Sequence, residues 1–145
     1  MNQATSASDS TKSNEGAFRR FVDEVFSAGD VARIDELIAA DFTDHQSSIR
    51  PANRDGVKAA ITFLHRLAPD FSLKIDECCT CGDLVWARGT GRGTHTGPGL
   101  GEPTGRSWEI TVMDVCRYRD GVMVEHWGVP DRFAQMEQLG LLPHR

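Results

Sequence analysis

The chain has 145 residues, of which 39% are hydrophobic and 26% are charged, and its formal net charge is −5. This length and composition are typical of one soluble globular domain with a full-sized core. The negative charge, without any basic cluster, argues against a nucleic-acid partner, and no apolar run reaches the roughly 18–20 residues of a membrane span.

The first 14 residues, MNQATSASDSTKSN, are polar and predict a disordered tail before a single domain at residues 15–145. They lack the apolar segment of a signal peptide. The chain has four cysteines, but its C-x-x-C precedes a turn and a strand, whereas a redox pair needs a helix N-terminus. A zinc site would need a second ligand pair. We therefore expect reduced thiols, no metal and a cytoplasmic location.

Three helices are predicted in the first half of the chain. Residues 15–30 repeat apolar side chains at i, i+3, i+4, i+7 and i+8, the spacing of one helical face. Asp30 can cap a second, short helix whose inward face extends to Ile38. Residues 41–48 form an irregular or extended piece, and a third helix follows until Pro69 stops it.

The second half of the chain has the patterns of strands. Strands are predicted at residues 71–79, 84–97, 106–119 and 122–129, and a short helix at 131–142 closes the chain. Glycines inside the second strand suggest bends or the close approach of a ligand. Helices followed by strands predict an α+β fold, with three helices packed on a curved, mostly antiparallel sheet that encloses a pocket.

One face of the strand predicted at residues 106–119 is apolar but carries a carboxylate. Side chains alternate along a strand, so this face holds Trp108, Val112, Asp114 and Tyr118. A carboxylate on an apolar face costs free energy unless it is paired or the face lines a wet pocket.

The hairpin that follows predicts the partner of this carboxylate. A three-residue loop with glycine in the left-handed position pairs Tyr118 with Val122, and therefore Asp114 with His126. Directly opposed side chains have Cβ atoms about 4.5–5.5 Å apart. An Asp–His pair in an apolar pocket can act as a general base. The alternative is a buried ion pair that only fixes the register of the strands.

Four other ionisable side chains are weaker candidates. Asp44 and His45 lie near the expected pocket mouth, or form a solvated turn. His95 reaches the pocket or sits at a strand end. Asp131 is a further candidate acid, but it can instead cap the last helix.

Five segments, in chain order, resemble the SnoaL-like polyketide cyclase family: APDFSLKIDE, GDLVWARGTGRGTHTG, EPTGR, YRDGVMVEHWGVPD and QLGLLP. With the helical first half, the resemblance covers roughly residues 16–143. No single motif is diagnostic, but the ordered set is fairly specific. The resemblance implies the nuclear-transport-factor-like α+β cone, shared with ketosteroid isomerase and scytalone dehydratase. It also implies a homodimer or homotetramer formed through the outer face of the sheet.

The resemblance also implies a chemistry. The best-known members close a ring in an aromatic polyketide by intramolecular aldol condensation, without metal or cofactor, and an aspartate on the last strand acts as acid and base. That aspartate lies two residues beyond the position of His126, where this sequence has Gly128. Asp114 and His126 both match pocket-facing positions of the family. The predicted strand pairing and the family resemblance therefore indicate the same pocket, while the chemistry can differ.

Three functions are compatible with these residues. We favour a cofactor-independent cyclase or isomerase of secondary metabolism that removes a proton α to a carbonyl of a small apolar compound. His126 would be the base, polarised by Asp114, or Asp114 itself would take the proton. Tyr118, Trp108 and His95 would shape the pocket or donate to the enolate oxygen. The alternatives are a hydrolase or hydratase that uses the same pair to activate water, and a non-catalytic ligand-binding or dimerisation module.

Overall fold

The computed structural model describes residues 13–143, and within them helices precede a sheet, as predicted. Helix α1 comprises residues 13–20 and a π-helical continuation, Phe21–Ser27. A 3₁₀ turn at Val31–Arg33 then leads to the other elements, which are α2 (Ile34–Leu37), β1 (Ile38–Asp44), α3 (Arg54–Leu67), β2 (Ser72–Cys81), β3 (Leu84–Thr94), β4 (Ser107–Arg119), β5 (Val122–Pro130) and α4 (Arg132–Gln138). None of the helices in this part of the chain has the length and apolar character that crossing a membrane requires.

The N-terminal boundary of the folded part differs slightly from the predicted one. Residues 13 and 14, which the sequence assigns to the polar tail, are helical. An ion pair between Glu15 and Arg19 at 3.0 Å, one helical turn apart, supports this first turn. Residues 1–12 of the predicted tail lie outside the described residues.

The sheet has five strands rather than the four predicted. Their order is β1-β5-β4-β3-β2, and β1 runs parallel to β5 while all other neighbours are antiparallel. Ile38, predicted at the end of the second helix, is instead extended (φ −119°, ψ 134°) and begins β1 beside Met123. A β-branched side chain fits this pleated, buried position. The fifth strand therefore places Asp44, its last residue, next to β5.

One apolar core joins the helices to the inner face of the sheet, where the predicted periodicities are confirmed. Phe21 and Val25 of α1 and Ile61 of α3 are buried, as the helical spacing predicts. Along β4 the even-numbered positions from Trp108 to Tyr118 face the core, while Glu109 and the other odd-numbered positions face outward or are partly exposed.

The loop between β4 and β5 has two residues rather than the predicted three. Asp120 and Gly121 both have positive φ, 51° and 80°, and Arg119 pairs with Val122 across the turn. Asp-Gly favours this two-residue loop because its backbone twist matches that of the flanking strands. The predicted pairing of Tyr118 with Val122 is therefore wrong by one residue.

A bulge in β5 shifts the register once more. Val124 is the extra residue of the bulge, because the pairing on either side of it differs by one position. Cys116 then pairs with His126, and Asp114 pairs with Gly128. The predicted direct pairing of Asp114 with His126 is therefore wrong by two residues.

The same bulge decides which face of the sheet carries His126. With the two-residue loop alone, His126 would lie opposite Val115 and point to the outer face. The bulge changes the phase of the strand, so Met123 and His126 both face the helices, while Val124 lies against the outer face. The shorter loop and the bulge each shift the register by one residue, and together they return His126 to the predicted face. The prediction that Asp114 and His126 share a face is confirmed.

Candidate active site

A cavity of about 470 Å³ lies between the helices and the inner face of the sheet. Its wall is mainly apolar and includes Phe26, Phe42, Val57, Ile61, Leu64 and Met123. A smaller recess of about 60 Å³, whose wall includes Trp108, Val112 and Asp114, adjoins the cavity. Gln46, Arg132 and Gln135 line both spaces. The volume and the apolar lining are typical of a small-molecule site.

Three buried ionisable side chains meet at the wall of the cavity. The Nε2 atom of His126 lies 2.7 Å from Oδ1 of Asp114, and Nδ1 lies 3.1 Å from both carboxylate oxygens of Asp44. Asp44, Asp114 and His126 are only 4%, 7% and 5% exposed. An imidazole ring can donate from both nitrogens only when it is protonated, so the geometry is that of an imidazolium between two carboxylates.

Three strands position this triad. Asp44 ends β1 and is the parallel-register partner of His126 on β5. Asp114 lies in the middle of β4, diagonal to His126 on the same face. Diagonal neighbours remain within reach of long side chains. The predicted contact between Asp114 and His126 is therefore confirmed although the register is wrong, and Asp44 joins them directly rather than forming a solvated turn.

The two carboxylates determine the charge of His126. Burial disfavours the charged ring and lowers the pKa, but the hydrogen bonds to Asp114 and Asp44, together with their charges, outweigh burial and raise the pKa to about 9. His126 therefore holds its proton at neutral pH. A ring that is already protonated cannot be the base, so the basic atoms of the triad are the carboxylate oxygens.

The two carboxylates differ in how many of their oxygens are occupied. Both oxygens of Asp44 contact the His126 ring, and Oδ1 also accepts the backbone N–H of Gln46 at 2.9 Å. Asp114 accepts from His126 through Oδ1, while its Oδ2 has no hydrogen-bond partner within residues 13–143. Because Asp114 lines the recess, Oδ2 is the proton-accepting atom that a substrate there would meet.

Gly128 is required by the position of the histidine ring. A Cβ atom at residue 128 would lie 2.7 Å from Cε1 of His126 and closer still to Oε1 of Gln46. The imidazole thus occupies the space that a side chain at residue 128 would need. The aspartate that the family resemblance places at this position cannot coexist with this arrangement of His126.

We expect Gly128→Ala to destabilise the fold by about 1–3 kcal/mol, since overpacking displaces the His126 ring. Displacement lengthens the hydrogen bonds to Asp114 and Asp44, so the pKa of His126 should also fall. Denaturant unfolding and an NMR titration measure the two effects. Gly91→Ala is the matched control, because its Cβ would meet Val112 at an ordinary 3.5 Å. Equal stability and an unchanged His126 pKa in Gly128→Ala would contradict the packing described.

The structure places two of the predicted site residues away from the cavity. Asp131 caps α4, where its side chain accepts the backbone N–H of Ala134 at 3.0 Å. His45 lies on the outer face, where it stacks on Trp127 with ring centroids 4.6 Å apart and contacts Glu125 at 2.8 Å. Neither residue lines the cavity or the recess.

Two further predicted residues are buried outside the site. His95 accepts the backbone N–H of Thr104 at Nδ1 and donates from Nε2 to the carbonyl of Gly99 at 2.9 Å, so it holds the loop after β3. Tyr118 packs in the core, and its hydroxyl has no partner within the described residues. Trp108 and Val112, by contrast, line the recess with Asp114.

Sequence reasoning missed five polar residues that line the cavity, namely Gln46, Ser48, Arg50, Arg132 and Gln135. Arg132 and Gln135 come from α4, and Arg50 comes from the segment after β1. The signal for Gln135 was its position four residues before the buried Leu139, which puts a polar side chain on the apolar face of a predicted helix. No local pattern distinguishes Arg50.

The sequence and the structure were compared with known protein families and solved structures. The sequence matches the model of the SnoaL-like polyketide cyclase family over residues 17–139. TsrD from Streptomyces laurentii is similar in structure, with a TM-score of 0.80, 27% identity, and coverage of 90% of this chain and 97% of TsrD. IdmH from Streptomyces antibioticus, proposed to be a polyketide cyclase, has a TM-score of 0.78, 32% identity, and coverage of 88% and 98%. No curated protein matches the sequence. The predicted nuclear-transport-factor-like α+β cone is confirmed.

Proposed function

Because the chain belongs to the SnoaL-like polyketide cyclase family, we propose that it is a cofactor-independent cyclase or isomerase of small apolar carbonyl compounds. The observation that carries the proposal is the buried Asp44–His126–Asp114 triad at the wall of an apolar cavity. Buried ionisable groups with perturbed pKa values in a cavity are typical of acid–base catalysis.

In this proposal Asp114 is the catalytic base. Its Oδ2 takes a proton from the carbon α to a substrate carbonyl, and the electron pair of the broken C–H bond forms an enolate. Gln135 lines both spaces, and its Nε2 has no hydrogen-bond partner within the described residues, so this amide is the N–H donor that we assign to the enolate oxygen. His126 and Asp44 orient the Asp114 carboxylate.

Ring closure then returns the proton. The enolate carbon attacks a second carbonyl of the same substrate, which forms a carbon–carbon bond and an alkoxide. The alkoxide takes the proton from Asp114, and the carboxylate is regenerated. In an isomerisation of a β,γ-unsaturated ketone, the γ carbon of the resulting dienolate takes this proton instead, and the double bond moves into conjugation with the carbonyl. The apolar wall of the cavity holds the substrate in the conformation that leads to ring closure. Such positioning contributes strongly to the rate, as intramolecular reactions show.

We expect the protein to accelerate deuterium exchange at the α carbon of 1-tetralone, a small apolar ketone, in D₂O at pH 7. The exchange reports the first step of the proposed reaction without the natural substrate, and ¹H NMR measures it against heat-denatured protein. Bound ketone without accelerated exchange would contradict the proposal and favour a binding module. The hydratase alternative instead predicts labelled oxygen from water in a product hydroxyl group.

A further inference from the structure

Two arginines that line the cavity have no carboxylate partner in the described part of the chain, whereas most basic side chains of this protein have one. Arg50 and Arg132 have no carboxylate within 4.0 Å among the described residues. On the outside of the sheet, Arg92, Arg117 and Arg119 contact carboxylates at 2.6, 2.7 and 2.8 Å. Within residues 13–143, positive charge without a carboxylate partner therefore occurs at the rim of the cavity, which we define by Arg50 and Arg132.

The contacts of Arg132 leave most of its donors uncommitted. Its Nη1 donates to Oε1 of Gln135 at 2.9 Å, and Gln135 is only 1% exposed. A guanidinium has five N–H donors in a planar fork, so the others remain for a ligand. Although Arg132 keeps solvent exposure, the surrounding protein lowers its pKa by desolvation, and no carboxylate offsets this effect.

Arg50 is similar in this respect. Its Nη1 donates to the carbonyl oxygen of the adjacent Ile49 at 3.0 Å, which leaves the rest of the fork free. The only carboxylate in the wall of the main cavity, within the described residues, is that of Asp44, and both of its oxygens already contact His126. The rim is therefore positive, whereas the triad, with two carboxylates and one imidazolium, has a net negative charge.

This distribution of charge orients an anionic ligand. An anion would be repelled from the two carboxylates of the triad and attracted to Arg132 and Arg50, while an apolar body would fit the mainly apolar wall of the cavity. Carboxylates match the guanidinium fork and accept two parallel N–H bonds from it.

We propose that the substrate is an apolar acid whose carboxylate binds Arg132 at the rim, with Arg50 as a second positive charge. The apolar body fills the cavity, and the reacting carbonyl lies at the recess beside Asp114. This inference rests on the proposed function, because it assigns the cavity to the substrate.

The test compares naphthalene-2-carboxylate with its methyl ester, which has the same apolar body without the charge. Isothermal titration calorimetry measures both affinities for the wild type and for Arg132→Gln and Arg50→Gln. Losing a charge-assisted hydrogen bond of about 1.5 kcal/mol or more predicts a loss of about 10-fold or more for the carboxylate with Arg132→Gln, and no change for the ester. A smaller loss in the same direction is expected with Arg50→Gln.

Arg66→Gln is the matched control. Arg66 also has no carboxylate within 4.0 Å among residues 13–143, but it lies on α3 outside the cavity wall, so the same change of net charge should leave both affinities unchanged. Equal losses for carboxylate and ester, or the same loss in Arg66→Gln, would overturn the inference. If the wild type binds the ester as tightly as the carboxylate, the inference fails while the proposed function stands. If neither compound binds the wild type, both fail.

Discussion

The free energy of unfolding is expected to fall by about 3 kcal/mol as the pH rises from 6.5 to 9. The cause is His126, whose pKa is raised from 6.5 to about 9 in the folded protein by its two carboxylate neighbours, against the effect of burial. In the unfolded chain these neighbours are lost and the ring returns to its ordinary pKa. The folded protein therefore binds the proton more tightly. Its contribution to stability is complete below pH 6.5 and is lost as the pH rises through 9.

Urea unfolding followed by tryptophan fluorescence, at intervals between pH 6 and 9.5, measures this dependence. His126→Gln removes the titrating ring and should flatten the profile in this range. His65→Gln is the control, because it removes a partly buried histidine that contacts no carboxylate among the described residues and whose Nε2 contacts the carbonyl of Phe26 at 2.6 Å. The control should keep the slope of the wild type. A wild-type profile that is already flat between pH 6.5 and 9 would contradict an imidazolium held between Asp44 and Asp114.

Asp114→Asn is expected to slow α-proton exchange by about 10²–10⁴-fold, the contribution of a positioned acid–base group. Asparagine has nearly the same shape and keeps an oxygen that can accept from Nε2 of His126. It has no carboxylate oxygen to take the substrate proton. The variant should therefore fold and bind ketones while exchanging their α protons slowly.

Asp44→Asn makes the matched comparison, because it removes the other carboxylate on the same ring. Asp44 is a positioning residue in the proposed mechanism, so this variant should retain much more exchange activity than Asp114→Asn. Its pH profile should change as well, because the pKa of His126 falls when one of its two negative neighbours is removed. The proposed assignment is wrong if Asp44→Asn loses the activity while Asp114→Asn keeps it.

The fold was largely predictable because its strongest signals are periodic. The apolar face of α1 and the alternation along β4 depend only on spacing within one element, and both are confirmed. β1 was missed in part because a parallel edge strand has no adjacent partner in sequence. Ile38 and Met123 pair across more than eighty positions, and no local pattern indicates such a pairing.

The site was predictable only as far as local strand geometry reaches. The contact between Asp114 and His126 requires that both side chains lie on the same face of the sheet. An error of two residues in the register leaves each side chain on its face, so the contact was predicted correctly. The role of Asp44 depends on a contact with His126 across 82 positions, and nothing in the residues around it distinguishes this aspartate from a turn residue. Without that second carboxylate, His126 is expected to be a base. With it, the ring is a buried cation.

The bulge at Val124 matters for how catalytic roles are compared across evolution. A relative that lacks the extra residue can be aligned with this hairpin only by opening a gap inside β5. An alignment without that gap would match His126 to a residue on the opposite face of the relative's sheet. One inserted residue can thus exchange the side chains that face inward with those that face outward along a strand, while the fold is preserved. Residues of two such hairpins must therefore be matched by the space that they occupy rather than by their order in the sequence.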